Sequence, residues 1–128
     1  MLVLCTPAEA YRRVDFDARV AVADASALVA LCYEQIISAL GSAGFAHENA
    51  DNHAKSKAIT RALAAVTALQ IGVTGSDTMA DALRQFYQST RRAMIDNALD
   101  FNADQVAGIR RDFTEIAGAI ASAGQQTP

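Results

Sequence analysis

DASALVALCYEQIISAL, residues Asp24–Leu40, carries the most regular apolar pattern in the chain. Leu28, Leu31, Cys32, Ile36, Ala39 and Leu40 recur at steps of three and four, the repeat of one helical face, and Val29, Tyr33 and Ile37 lay a second apolar stripe beside it. A helix on the surface of a globular domain needs one stripe only. Two stripes put this helix either at the centre of several others or beside a groove that another chain fills. Asp24 stands where an N-cap belongs, its carboxylate able to accept from amides of the first turn. Gly41, with Gly44 behind it, marks the expected end.

Toward the C-terminus, Phe45 to Asn52 reads as a turn in which Asn49, Asp51 or Asn52 caps the next helix. That second helix carries Ile59, Ala62, Leu63, Val66, Leu69 and Val73 on one face and Lys55, Lys57, Arg61 and Gln70 on the other, and stops in the run Gly72 to Gly75. Ser76 or Asp77 opens the third helix, with Thr78 and Asp81 in the spacing of an approximate capping box. Its stripe is Met79, Leu83, Phe86, Tyr87, Thr90, Met94 and Ala98, broadened by Ile95 and Leu99. Asn102 with Gln105 signals a fourth start, after which Val106, Ile109, Phe113, Ile116 and Ile120 repeat with heptad-like spacing.

Toward the N-terminus the pattern is weaker. Tyr11 and Val14 have helical spacing, whereas Val20 and Val22 alternate with alanines, which predicts a short helix from Ala8 to Val14 followed by an extended arm. Four helices of about 17 to 22 residues, at about 1.5 Å each, make rods of about 25 to 33 Å that match in length. Short connections force neighbours antiparallel. The expectation is an all-α chain: residues 1–23 a mobile N-terminal arm with a short helix, 24–121 an up-down-up-down four-helix bundle, 122–128 a frayed tail.

Composition narrows the function. At 128 residues the chain suits one domain, and its 52% hydrophobic content, in which alanine is the commonest residue, with 6% aromatics and no tryptophan, suits helices packed through small side chains. A net charge of −3 repels phosphate backbones, and the pairs Arg12 with Arg13, Arg91 with Arg92 and Arg110 with Arg111 each have an acid nearby in Asp15, Asp96 or Asp112, so they read as solvated faces. Nucleic acid is not an expected partner. Cys5 and Cys32 stand apart without CxxC spacing and imply no disulfide framework, and Cys32, on the apolar face of its helix, reads as a packed thiol, which suits a reducing compartment. The start, MLVLCTPAEA, lacks the basic region and long apolar core of a signal peptide, and no run was long enough to suggest a membrane span, so the cytoplasm is the expected location.

Catalytic constellations are missing. A di-metal bundle needs inward glutamates with Glu-x-x-His pairs, and this chain has four glutamates and neither histidine so placed. His47, Glu48, Asp51 and His53 cluster around one connection, a set of zinc-ligand types without a supporting shell, so solvated loop polarity is the preferred reading. Cys32, Ser26 and Ser38 lack an orienting base, and the GVTG run lacks the lysine and spacing of a phosphate loop. The expectation is a protein that is not an enzyme and holds no cofactor and no metal.

One resemblance covers most of the chain. AYRRVDFDARVAVADASALVALCYEQIISAL, from Ala10 to Leu40, resembles the opening of FliS, the flagellar secretion chaperone family, at Ala10, Tyr11, Val20, Ala23, Asp24, Leu28, Val29, Leu31, Cys32, Tyr33 and Glu34 without a gap. Further on, Lys57, Ala58 and Ile59 resemble the family's Lys-Ala-Ile, Gly75 precedes the third helix as a glycine does there, Phe86 with Tyr87 resembles its Leu-Tyr pair, and Arg91 and Arg92 stand near its Arg-Arg. The likeness extends over about residues 9–121. Asp24 and Ala25 replace the family's Ser-Pro, Glu34 and Gln35 its Asp-Gly, Asn97 and Ala98 reverse its Ala-Asn, and Ala119 with Ile120 stands where it has Ala-Trp.

The resemblance implies a cytosolic four-helix export chaperone that holds the C-terminal helical segment of flagellin, stops it polymerising early and brings it to the export gate. The residues supply a physical reason: an amphipathic segment left disordered exposes its apolar face to every copy of itself, and a bundle with surplus apolar surface can occupy that face. Val29, Tyr33, Ile37 and Leu40 are the first expected groove residues, and Met94, Ile95 and Leu99 the second. The arm with Val14, Phe16, Val20 and Val22 is expected to lie over part of that groove until the client arrives, and Tyr11 matches a family tyrosine associated with the export gate. Alone, the chain is expected to be a monomer or a weak homodimer. Two other readings keep the same periodicity: a regulatory or adaptor bundle that binds a folded partner, and a bundle that spends its second stripe on itself.

Overall fold

A computed structural model describes residues 6–22 and 24–125. Among the described residues there are five α-helices and no strand: α1 (Pro7–Val22), α2 (Ala25–Glu48), α3 (Asn52–Gly72), α4 (Thr78–Leu99) and α5 (Ala103–Gln125). The chain divides into two units, one ending at Leu31 and the other beginning at Cys32. The first turns of α2 belong to the former and its remaining length to the latter.

In the first unit α1 is a single helix of 16 residues, and the segment with alternating valines is helical rather than extended. The reason is local. The Thr6 hydroxyl accepts from the Glu9 amide at 3.1 Å, Pro7 takes the first helical position, and no glycine or second proline follows before Val22. Glu9 in the first turn and Arg19 in the last complement the helix dipole, and Ala18 and Ala21 offset the weaker helix preference of the valines. Phe16 and Val20, one turn apart, are half-buried, while Tyr11 and Val14 are exposed on the opposite side. The side chain of Val22, and all of Cys5 and residues 126–128, lie outside the described residues. Asp24 does cap α2, its Oδ1 accepting from the Ala27 amide at 2.8 Å.

In the second unit α2 does not stop at Gly41; it runs on through Gly44 to Glu48. It ends in a closure of the Schellman kind, with the Asp51 amide donating to the Ala46 carbonyl at 2.9 Å and the Ala50 amide to His47 at 3.1 Å. The left-handed residue of that closure is Ala50, φ 55°, a position where glycine is usual. Gly41 serves a different need. Arg110 Nε donates to the Ile37 carbonyl at 2.9 Å, and a β-carbon at Gly41 would stand 3.1 Å from two guanidinium nitrogens. The glycine lets an arginine of α5 lie against the backbone of α2.

The other starts fall where the polar residues place them. Asp51 caps α3 by accepting from Ala54, Asp77 caps α4 by accepting from Ala80, and Asn102 Oδ1 accepts from Gln105 at the head of α5. Asp77, not the Thr78 and Asp81 pair, supplies the α4 cap. The α4 to α5 corner is held by Asn97, 2% exposed, whose amide donates to Ala93 and to Gln105 Oε1 and whose Oδ1 accepts from the Asn102 amide at 2.6 Å. The tail expected to fray from residue 122 continues α5 as far as Gln125.

Tyr33, Ile36, Leu40, Ile59, Val66, Met94 and Phe113 are the largest fully buried side chains. Ala39, Ala43, Ala58, Ala62 and Ala65 are buried between them, and such small residues let helix axes approach closely. By length and composition α2 is also a helix that can cross a membrane, contrary to the expectation that no run reaches that length. Its apolarity has an internal use, since five of its residues, Tyr33, Ile36, Ala39, Leu40 and Ala43, belong to the core.

Two stability predictions follow from these corners. Gly44→Ala, at a site with nothing within 4 Å, gains about 1 kcal/mol from helix propensity, whereas Gly41→Ala gains less than half of that and recovers the full gain in an Arg110→Ala background. Urea melts of the four variants measure the coupling, and additivity between positions 41 and 110 would disprove it. Ala50→Gly raises stability by about 0.5 to 1 kcal/mol by relieving the left-handed β-carbon, as the same melts would report.

Candidate functional site

Helix α4 has two differently used sides. Tyr87, Thr90, Met94 and Asn97, at steps of three and four, are buried with Ala80. Thr90, one of two buried polar residues in that row with Asn97, satisfies its hydroxyl on the Phe86 carbonyl at 2.8 Å. Ile95 and Leu99, one turn apart on the outward side, are 39% and 88% exposed. They are apolar side chains with no use in the interior of this unit.

The predicted groove residues therefore separate. Tyr33, Leu40 and Met94 are core residues, 2%, 1% and 1% exposed, and Ile37 is half-buried against the same core. Val29, at 39% exposed, belongs to the first unit. Ile95 and Leu99 are the members that present apolar surface in the second unit. Sequence reasoning passed over the exposed Phe45, Ile71, Met79 and Ile120 as contact candidates. Phe45 lies in α2 beyond the end that Gly41 and Gly44 predict, and with Gly41, Ser42, Glu48 and Asn49 at its helical neighbours it has no apolar residue to join on its own face.

Behind the surface lies an aromatic cluster. The Tyr33 ring meets Phe113 edge-on at 5.2 Å between centroids and Tyr87 at 6.3 Å, and Phe86 closes on Phe113 at 5.1 Å. The Tyr33 and Tyr87 hydroxyls share a buried hydrogen bond of 2.7 Å. Burial, and then that shared bond, hold the Tyr33 phenol far above the ordinary tyrosine range, so it stays protonated. Burial also pushes the Cys32 thiol up, which suits a packing residue and not a nucleophile.

At the other end of α2, His47 stacks on Phe101 at 4.5 Å and its Nδ1 lies 3.2 Å from Lys55 Nζ, which in turn sits 5.1 Å above the Phe101 ring. Asp51 is occupied as the α3 cap. No group of three His, Cys, Asp or Glu is placed to hold a metal ion among the described residues. His47, Lys55 and Phe101 thus form a small cationic and aromatic cluster at this end of α2.

A family model described as "Flagellar protein FliS" matches residues 7–127. No curated protein matches the chain.

The tyrosine pair gives a sharp test of how the cluster is held. Tyr33→Phe leaves the Tyr87 hydroxyl buried without its partner and costs about 1 to 3 kcal/mol, while the double change to phenylalanine restores most of the loss. Unfolded tyrosine titrates near about pH 10, so the stability tied to these raised phenols is complete below that pH and is lost as pH climbs beyond it. Chemical denaturation between neutral pH and pH 11 checks both points: the wild type weakens at the alkaline end more than the double variant does.

Proposed function

This chain belongs to the FliS family of flagellar proteins, and we propose that it is a cytoplasmic export chaperone for the C-terminal helical segment of flagellin. In this reading it prevents premature polymerisation and delivers the segment to the flagellar type III export gate. The observation that carries the proposal is the family match across nearly the whole chain.

The physical support comes from surface and core together. A disordered amphipathic segment that folds on binding typically buries about 1,000 to 3,000 Å² and loses about 2 to 5 kcal/mol to ordering, which allows firm yet reversible capture without nucleotide chemistry. Reversibility is what export requires. Within the predicted groove set, Ile95 and Leu99 act as the contact residues, Val29 and Ile37 as further apolar contacts, and Tyr33, Leu40 and Met94 as the packed interior behind Ile37, Ile95 and Leu99.

An antiparallel up-down-up-down bundle of α2 to α5 is part of the proposal. It is supported by paired positions that run in opposite senses, Tyr33 with Phe113 and Ile37 with Arg110 on α2 and α5. The leading arm keeps the role read from the sequence, withholding apolar surface until the client arrives, with Val14, Phe16, Val20 and Val22 as its apolar residues. Tyr11, exposed on α1, is the residue offered to the export gate.

Calorimetry of the full chain with a flagellin C-terminal peptide tests this directly, together with light scattering of flagellin in the presence of the chain. Saturable binding at one to one, a gain of helical circular dichroism and delayed polymerisation are the expected results. Absence of binding would remove the proposal. Deleting residues 1–18 is expected to change client affinity; an unchanged value would remove the arm from the mechanism.

A further inference from the structure

We infer that the outward face of α4 over its last three turns docks an acidic amphipathic helix, whose apolar side chains rest on Ile95 and Leu99 and whose carboxylates meet Arg91 and Arg92. The inference rests on the chaperone reading and deepens it by assigning the client's position and chemistry.

Gln88, Arg92, Ile95 and Leu99 follow one another at steps of four, three and four, and Arg91 borders the same row, so all five share a face about 16 Å long. Every one of them is exposed. Three turns of an incoming helix cover that length. The charges make the choice of occupant. Arg84, one turn further back, is already engaged by Asp81 at 3.0 Å and by the Gly75 carbonyl. Arg91 Nε donates to the Thr67 hydroxyl at 3.2 Å, which fixes its direction and leaves its terminal nitrogens for another acceptor. Neither Arg91 nor Arg92 is paired with a carboxylate among the described residues, although Asp96 flanks the row one turn from Arg92.

Two guanidinium forks beside exposed isoleucine and leucine match a helix that carries aspartate or glutamate one turn from its apolar residues. A second copy of the same face would set these arginines against like charges. An RNA strand would find two cations without an aromatic platform, on a chain of net charge −3.

The test measures binding of the flagellin C-terminal peptide to the full chain by fluorescence anisotropy at low and high salt. The double variant Arg91→Glu with Arg92→Glu weakens binding by about tenfold or more at low salt, less at high salt, and Leu99→Asp weakens it at both. Thr60→Asp, at an exposed site on α3, leaves it unchanged. Replacing the peptide's acidic residues by lysine restores affinity for the double variant. All these positions are exposed, and circular dichroism checks that each variant is folded. If the wild type binds while the double variant and Leu99→Asp bind as well as it does, the face is not the site and the chaperone reading stands. If the wild type does not bind, both fall. Binding of a single-stranded RNA that Arg91→Glu with Arg92→Glu abolishes, or a wild-type dimer that Leu99→Asp makes monomeric, would assign a different occupant and overturn the inference.

Discussion

A helix that is apolar around most of its circumference has to be surrounded, and α2 is such a helix. Its Tyr33 ring is set edge-on to Tyr87 and Phe113, so residues of α2, α4 and α5 meet at one buried point, and the polar atom that this places in the interior is answered by the hydroxyl of Tyr87. A buried hydroxyl without a partner costs more than the bond itself contributes, so the two tyrosines have to be placed together. Around that point alanines at positions 39, 43, 58, 62 and 65 leave room for close helix packing. The core of the second unit therefore sets alanines between larger aliphatic side chains and a few aromatic rings.

The same constraint decides what remains outside. From Cys32 onward the stripes of α2 turn inward, and the row Tyr87, Thr90, Met94 and Asn97 occupies the inner side of α4, so Ile95 and Leu99 are left with no internal partner. For a family of export chaperones this is a usable surplus. Residues that hold the core cannot readily serve a client as well, because removing them from one another opens a cavity, whereas residues on the outward side engage and release without disturbing it.

Much of the fold was legible from polar punctuation. Asp24, Asp51, Asp77 and Asn102 each cap the helix that the residue pattern assigns to them, since a short side-chain acceptor beside an apolar repeat has few other uses. Glycine was the less dependable sign. Gly41 lies within α2, where the guanidinium of Arg110, far away in sequence, takes the space a β-carbon would crowd, and the turn that closes the helix uses an alanine at positive φ. The alternation of Val20 and Val22 misled in the same way: a capped start, a proline at the first position and flanking alanines outweigh a brief period of two.

The candidate site was only half legible for a related reason. Periodicity states that Val29, Tyr33, Ile37, Leu40, Met94, Ile95 and Leu99 are apolar at helical spacing; it does not state which stripe meets another helix. What the order of residues settles without help is local: where turns of helix begin and which faces are oily. Tertiary structure alone decided that Tyr33, Leu40 and Met94 face inward while Ile95 and Leu99 face out. Burial is a property of neighbours brought together from distant parts of the chain, and no repeat within one helix encodes the direction from which they arrive.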